Sequence, residues 1–197
     1  MIGKPTGYVK RGPGVGKKLD RHFKYLQHRA PEDGEGPHRD LFDASGQAIS
    51  RYEARERILG PGGAVAYHKM ILSPSAGERV EDWRDWTRRA MDDLGEHKGM
   101  ALTWVAAFHD AEGHPHVHVV VAGSGVRAGG RAQALVLRIP DYQYLTERAA
   151  YHAERNVARE IATVAERVVA HARLDARDIL DLSREHTRAR EFERGAR

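Results

Sequence analysis

The sequence predicts an α+β fold, a sandwich built on an antiparallel central sheet rather than a doubly wound parallel one. Two observations carry the prediction. Leu102 to Phe108 and Val117 to Val121 are apolar, β-branched and aromatic runs separated by a short polar stretch, the pattern of two interior strands joined as a hairpin. Around them the segments follow the order β, α, long loop, β, α, β-hairpin, β, α, α, with no regular βαβ repeat to dictate a parallel sheet.

Length and composition allow one well-buried domain: 197 residues, 41% hydrophobic and 30% charged. The absence of cysteine excludes disulfides and thiolate zinc sites. No apolar run approaches the roughly 20 residues of a membrane span, and the opening Met-Ile-Gly-Lys-Pro carries no signal-peptide core, so a cytoplasmic protein without membrane insertion is expected. The formal charge is only +4, but it is unevenly spread: within residues 1–29 eight basic side chains stand against the single acid Asp20, a net +7, leaving −3 for the remaining 168 residues. A basic patch on a nearly balanced body is the footprint of a phosphate-backbone partner.

Taken in order, Tyr8 to Lys10 reads as a short strand running into the glycine-rich basic loop Arg11 to Lys18. The Walker pattern is not met, because Arg11 and Lys18 occupy the positions of its first glycine and its Ser or Thr. Such a loop can still grip a nucleic-acid phosphate through backbone amides. Asp20 is expected to cap a short helix through Arg29 that buries Leu19, Phe23 and Leu26; Tyr25 then shares an outward face with His22 and Arg29, cationic neighbours that favour a phenolate. From 30 to 63 the chain is polar and broken by glycine and proline, which predicts a long surface excursion holding one solvated helix from Ser50 to Leu59.

Ala64 to Leu72 returns as a strand followed by a Ser/Pro turn, with His68 a histidine of structural character. Val80 to Leu94 is an amphipathic helix whose Trp83 and Trp86 cover the sheet. After the hairpin come a Gly/Arg stretch containing Arg127 and Arg131, a strand from Ala134 to Ile139, and a helical region from Pro140 to about Leu174 with Val157, Ile161, Val164 and Val168 as its buried stripe. A domain of 1–174 is thus expected, with 175–197 a polar helical extension or the start of a linker.

The hairpin itself carries the chemistry. With Asp110 to Pro115 as its loop, His109 ends one strand and His116 begins its antiparallel neighbour, while His118 points to the same face as His116. Three imidazoles converge, and three neutral nitrogen ligands leave coordination positions open on a metal. The opposite face holds Leu102, Trp104, Phe108, Val117, Val119 and Val121, a core face beneath a polar, metal-binding one.

The stretch His109-Asp-Ala-Glu-Gly-His-Pro-His-Val-His-Val-Val-Val121 resembles the third motif of the conjugative relaxases, HUH endonucleases that nick plasmid transfer origins, and looks closest to the MOB-P/Q-like branch that includes the T-DNA border nickase. Lys24-Tyr-Leu-Gln-His-Arg29 resembles their nucleophile segment and Tyr67 to Gly77 their second motif, so the likeness runs from about residue 8 to 170. Two positions depart from it: Ala122 stands where relaxases often carry Asn, and Ala111 where many carry an acid, with Asp110 beside it.

The resemblance implies an HUH-like sandwich with helices on both faces of the sheet. It also implies that His109, His116 and His118 hold one divalent ion, manganese or magnesium by family habit, with zinc also suited to an all-histidine site. Tyr25 would be the nucleophile forming a 5′-phosphotyrosyl link, with Asp110 or His114 as proton acceptor or ligand tuner. Lys10, Arg11, Lys17, Lys18, Arg21, Lys24, Arg29, Ser73, Arg127 and Arg131 would line the single-stranded DNA. Accessory mobilization proteins and a coupling protein are the implied partners. Three rivals stand beside this reading. A rolling-circle replication initiator would use Tyr142, Tyr144 or Tyr151. A histidine-triad nucleotide hydrolase would use His114, His116 and His118 on one strand, against which Pro115 counts. A DNA-binding module with a structural metal would bind but never cleave.

Overall fold

The computed structural model describes residues 3–28, 39–60, 63–74, 80–110, 114–155, 158–159 and 161–167. The chain divides into two units, Met1–Asn156 and Val157–Arg197. The expected boundary at 174, the extension 175–197, Arg29 and Ala111 lie outside the described residues.

The first unit is an α+β sandwich. In chain order its elements are β1 (Gly3–Lys10), α1 (Val15–His28), β2 (Leu41–Asp43), β3 (Ala48–Ile49), α2 (Arg51–Leu59), β4 (Val65–Leu72), α3 (Trp83–Lys98), β5 (Met100–His109), β6 (His116–Arg127), β7 (Ala132–Ala134) and a helix, α4, over 139–155. The seven strands form one sheet in the order β1-β4-β6-β5-β2-β3, with β7 beside β6, and every pairing is antiparallel. The β5–β6 hairpin is central, and its register sets His109 opposite His116 and Ala107 opposite His118, as the sequence predicts.

Period-two alternation sends the two sets of hairpin side chains into two cores. Trp104, Val117, Val119 and Val121 are buried with Trp86, Ala90, Met91 and Leu94 of α3 and Leu145, Ala149 and Ala153 of α4, while Leu102 and Phe108 pack against them. This is the core face expected of the hairpin. Trp86, fully buried, also donates from Nε1 to the Ala149 carbonyl at 2.9 Å, which ties α3 to α4. The other face is less polar than expected. Val105, Ala107, Val120 and Ala122 are covered there by Leu19, Phe23 and Leu26 of α1 and Ala54 and Ile58 of α2, so only the end of that face, where the histidines lie, is left for chemistry.

Four further expectations are corrected. The segment expected to be a surface excursion supplies, over its described residues, two strands and a helix with one buried side: Phe42 pairs with Ala106, and Leu41, Phe42, Ala54 and Ile58 are at most 1% exposed. Its polar composition belongs to the outer side of α2, whose start is fixed by a capping box between Ser50 and Glu53. The first helix begins at Val15, not after Asp20. Gly14 takes a left-handed φ of 75° and its carbonyl accepts from Lys18 N at 3.0 Å, so Lys17 and Lys18 project from a helical turn and Asp20 instead pairs with Arg55 at 3.2 Å. The strand expected at 134–139 stops at Ala134, and α4 follows from 139. Finally, Ile161 and Val164 are 64% and 51% exposed rather than buried, while Val157 and Val168 lie outside the described residues.

One backbone crossing fixes the sheet's interior. At Gly123, where β4 starts against β6, an added Cβ would stand 2.0 Å from the Val65 carbonyl oxygen, so only glycine permits the approach. Three residues of β6, Ala122 to Ser124, face the single residue Thr103 of β5 at this point. Beyond it β7 takes over the edge of β6 that β4 leaves.

Candidate metal centre

At the loop end of the central hairpin, His109, His116 and His118 each offer a ring nitrogen, and these atoms all lie within 4.8 Å of one another. Ring centroids are 5.4, 4.6 and 5.0 Å apart for the three pairs. His109 and His118 are buried, at 1% and 9% exposure, and His116 is half-buried, so the group is reached from one side.

Two carbonyls set the tautomers. A carbonyl only accepts, so the 2.8 Å contact between His109 Nε2 and the Leu26 oxygen requires Nε2–H to donate, leaving the His109 Nδ1 lone pair for a ligand. In the same way His116 donates from Nδ1 to the His114 carbonyl at 2.8 Å and keeps Nε2 as its lone pair. His116 Nε2 and His118 Nε2 are 3.2 Å apart. Two nitrogens bound at 2.0–2.1 Å with a tetrahedral angle would be about 3.4 Å apart, so the pair is already spaced as two ligands of one ion. The donor set, three clustered imidazole nitrogens of which two are oriented by carbonyls, fits a borderline divalent cation with open positions.

The Leu26 carbonyl belongs to the last turn of α1, so the helix carrying Tyr25 ends against the centre. Tyr25 is 47% exposed and its ring lies nearly parallel to that of His22, centroids 6.4 Å apart. His22 is not the cation the sequence suggested. Burial, reinforced by the charge of Lys69, pushes its pKa down to about 4, so the ring is neutral at physiological pH. The positive charge acting on it is Lys69, the one lysine in the mostly apolar β4 and not among the site residues expected from sequence.

The other candidates separate by position. Lys17, Arg21 and Lys24 are exposed at helical spacing and make a cationic stripe down α1 toward the centre, continued by the exposed His28, with Lys18 exposed beside it. Lys10 and Arg11 lie at the far end of β4, where Lys10 pairs with Val65, and Arg11 donates to the Leu59 and Gly60 carbonyls at 3.3 and 3.0 Å, fastening the end of α2. Arg127 and Arg131 stand at the other end of β6, about 35 Å of strand from His116. Ser73 donates to the Pro115 carbonyl at 3.2 Å and pins the hairpin loop. His114 contributes its carbonyl to the group, its own residue being exposed outside β6, and Asp110 is exposed next to His109.

His68 sits on the opposite face, its Nε2 bonded to the Leu135 carbonyl at 3.1 Å and its pKa lowered by burial, the bond to Leu135 opposing. Tyr142 packs against the α3 side of the sheet, and Tyr144 stacks on His97 near the end of α3, at 4.2 Å. Tyr151 belongs to α4, which packs on that same side, and its ring lies under Arg148, 4.5 Å from the guanidinium carbon. None of the three shares the face of the imidazoles.

Searched against known proteins, the chain matches no family model and no curated protein sequence. Among solved structures it is similar to the conjugative relaxase TrwC in complex with oriT DNA, at 12% identity and TM-score 0.51 over 83% of this chain and 71% of that one. It is also similar to a metal-bound structure of that complex, at 13% identity and TM-score 0.50 over 83% and 70%. With its antiparallel sheet, two helical layers and central histidine hairpin, the chain has the fold of the conjugative relaxases.

Proposed function

We propose that this chain nicks single-stranded DNA at a transfer origin by metal-assisted transesterification. The observation that carries the reading is the convergence of His109, His116 and His118 against the end of the helix that bears Tyr25. His109, His116 and His118 would hold a divalent ion, which would supply Lewis-acid stabilisation of the charge developing on the scissile phosphate. Tyr25 Oη attacks phosphorus and gives up its proton; the 3′-oxygen departs and takes one up, leaving a 5′-phosphotyrosyl link and a free 3′-hydroxyl. The ester energy is kept, so reversal rejoins the strand. Asp110 is the nearest acid in sequence to the centre and the candidate acceptor of the phenol proton. Lys69 supplies the positive charge that the neutral His22 does not. The stripe Lys17, Arg21, Lys24 and His28 tracks the backbone toward the centre.

Three imidazoles favour zinc or manganese over magnesium, which prefers oxygen. The proposed setting is cytoplasmic, on transfer DNA beside accessory mobilization and coupling proteins; no helix among the described residues is long and apolar enough to cross a membrane. The position of Tyr142, Tyr144 and Tyr151 behind the sheet speaks against an initiator using them. The exposed His114, outside β6, speaks against a histidine-triad hydrolase. The test is a nicking assay on labelled single-stranded origin DNA with manganese. A covalent adduct is expected with the native chain and lost in Tyr25→Phe; an adduct that survives Tyr25→Phe overturns the assignment of the nucleophile.

A further inference from the structure

We propose that the cleft behind the hairpin end holds one unstacked base of the bound strand and prefers bases bearing amino groups to thymine. The inference rests on the DNA-nicking reading above and adds a specificity pocket to it. The cleft measures about 510 Å³ and is walled by Phe42, Trp83 and Phe108. Trp83 and Phe108 stack with centroids 4.7 Å apart, and Phe42 pairs with Ala106, two residues before Phe108 on the same face of β5. Phe42, 1% exposed, closes the floor, and the half-buried Trp83 and Phe108 rings offer the stacking surface; stacking accepts any base.

The rim supplies the selection. Asp40, Glu81 and Asp82 stand against Arg39 and Arg84. Arg84 is held by the Gly46 carbonyl at 2.8 Å, by Asp40 at 3.5 Å and over the Phe42 ring at 5.5 Å, and the Asp82 carboxylate caps α3 through Arg84 N and Asp85 N. The rim therefore carries a net negative charge that repels phosphate and leaves carboxylates to accept from an amino group such as that of cytosine. A neutral base enters where the backbone does not.

Position ties the cleft to the metal centre. Phe108 directly precedes His109, so strand alternation puts the aromatic wall and the imidazoles on opposite faces of one strand end. Arg39 N donates to the Gln27 carbonyl at 3.2 Å, and the preceding residue, Leu26, accepts from His109. A strand whose phosphate lies at the histidines has an adjacent base within reach of the cleft around this edge.

The test titrates the intact chain with oligo(dC) and oligo(dT) of equal length at neutral pH, following binding and tryptophan fluorescence. Trp86 and Trp104 are at most 3% exposed, so quenching reports Trp83. Oligo(dC) is expected to bind about tenfold more tightly than oligo(dT) and to quench. Trp83→Ala should weaken oligo(dC) roughly 5- to 100-fold while Trp83→Phe keeps most of the affinity, and the latter controls for packing. Glu81→Gln, at an exposed position, should bring oligo(dC) down toward oligo(dT). Salt-sensitive binding that ignores both Trp83→Ala and base identity, with silent fluorescence, overturns the cleft alone. Binding of neither oligonucleotide at low salt overturns the nicking reading and the cleft with it.

Discussion

His109→Ala and His116→Ala remove two of the three imidazoles proposed to hold the ion, yet the structure predicts that they differ sharply without metal. His109 is 1% exposed and its Nε2–H satisfies the Leu26 carbonyl at 2.8 Å, whereas His116 is half-buried and bonds an exposed loop carbonyl. Removing His109 leaves a buried acceptor without its donor, about 1–3 kcal/mol, and empties the volume of a buried ring, for a total of about 2–4 kcal/mol. Removing His116 costs about 1 kcal/mol or less. For a unit of this size 1 kcal/mol moves Tm by roughly 2–4 °C, so His109→Ala should melt roughly 5–15 °C below the native chain and His116→Ala within a few degrees of it. Zinc or manganese at 100 times its Kd should then stabilise the native chain by about 2.7 kcal/mol and neither variant appreciably. Thermal melts with and without metal read both effects. An undiminished metal shift in His116→Ala, or equal metal-free stabilities for the two variants, would refute the reasoning.

Gly123→Ala should cost about 2–4 kcal/mol in urea unfolding, because its methyl group would stand 2.0 Å from the Val65 carbonyl; a cost under 1 kcal/mol would mean β4 and β6 yield more easily than their pairing suggests. His22 has a folded pKa of about 4 against 6.5, so between those values the unfolded chain binds more protons and stability falls as pH drops; the loss reaches up to about 3 kcal/mol near pH 4, and His22→Gln should flatten that part of the profile. Lys24→Ala should lower the salt dependence of oligonucleotide binding by about one counterion. Arg11→Ala, whose guanidinium holds two carbonyls, should instead lower Tm and leave the salt slope nearly unchanged.

Local pattern settled much of this molecule. Two short apolar runs around a polar loop gave the hairpin, and a strand's period of two then put His109, His116 and His118 on one face and Trp104, Val117, Val119 and Val121 on the other. Helical spacing likewise placed Leu19, Phe23 and Leu26 inward and Tyr25 outward. Contacts between segments distant in sequence were decided only by the assembled chain. Residues 41–58 look solvent-borne because their charges are real, yet β5 offers an edge that pairs with Phe42 and Asp43, and α2 covers the second core with Ala54 and Ile58, with Leu59 packed at its margin. The neutrality of His22 on α1 comes from burial and from Lys69 on β4, and the tautomer of His109 from a carbonyl 83 residues away. Neither effect has a local sequence signature, since desolvation and hydrogen bonding depend on what the fold brings near a group and not on its neighbours in the chain.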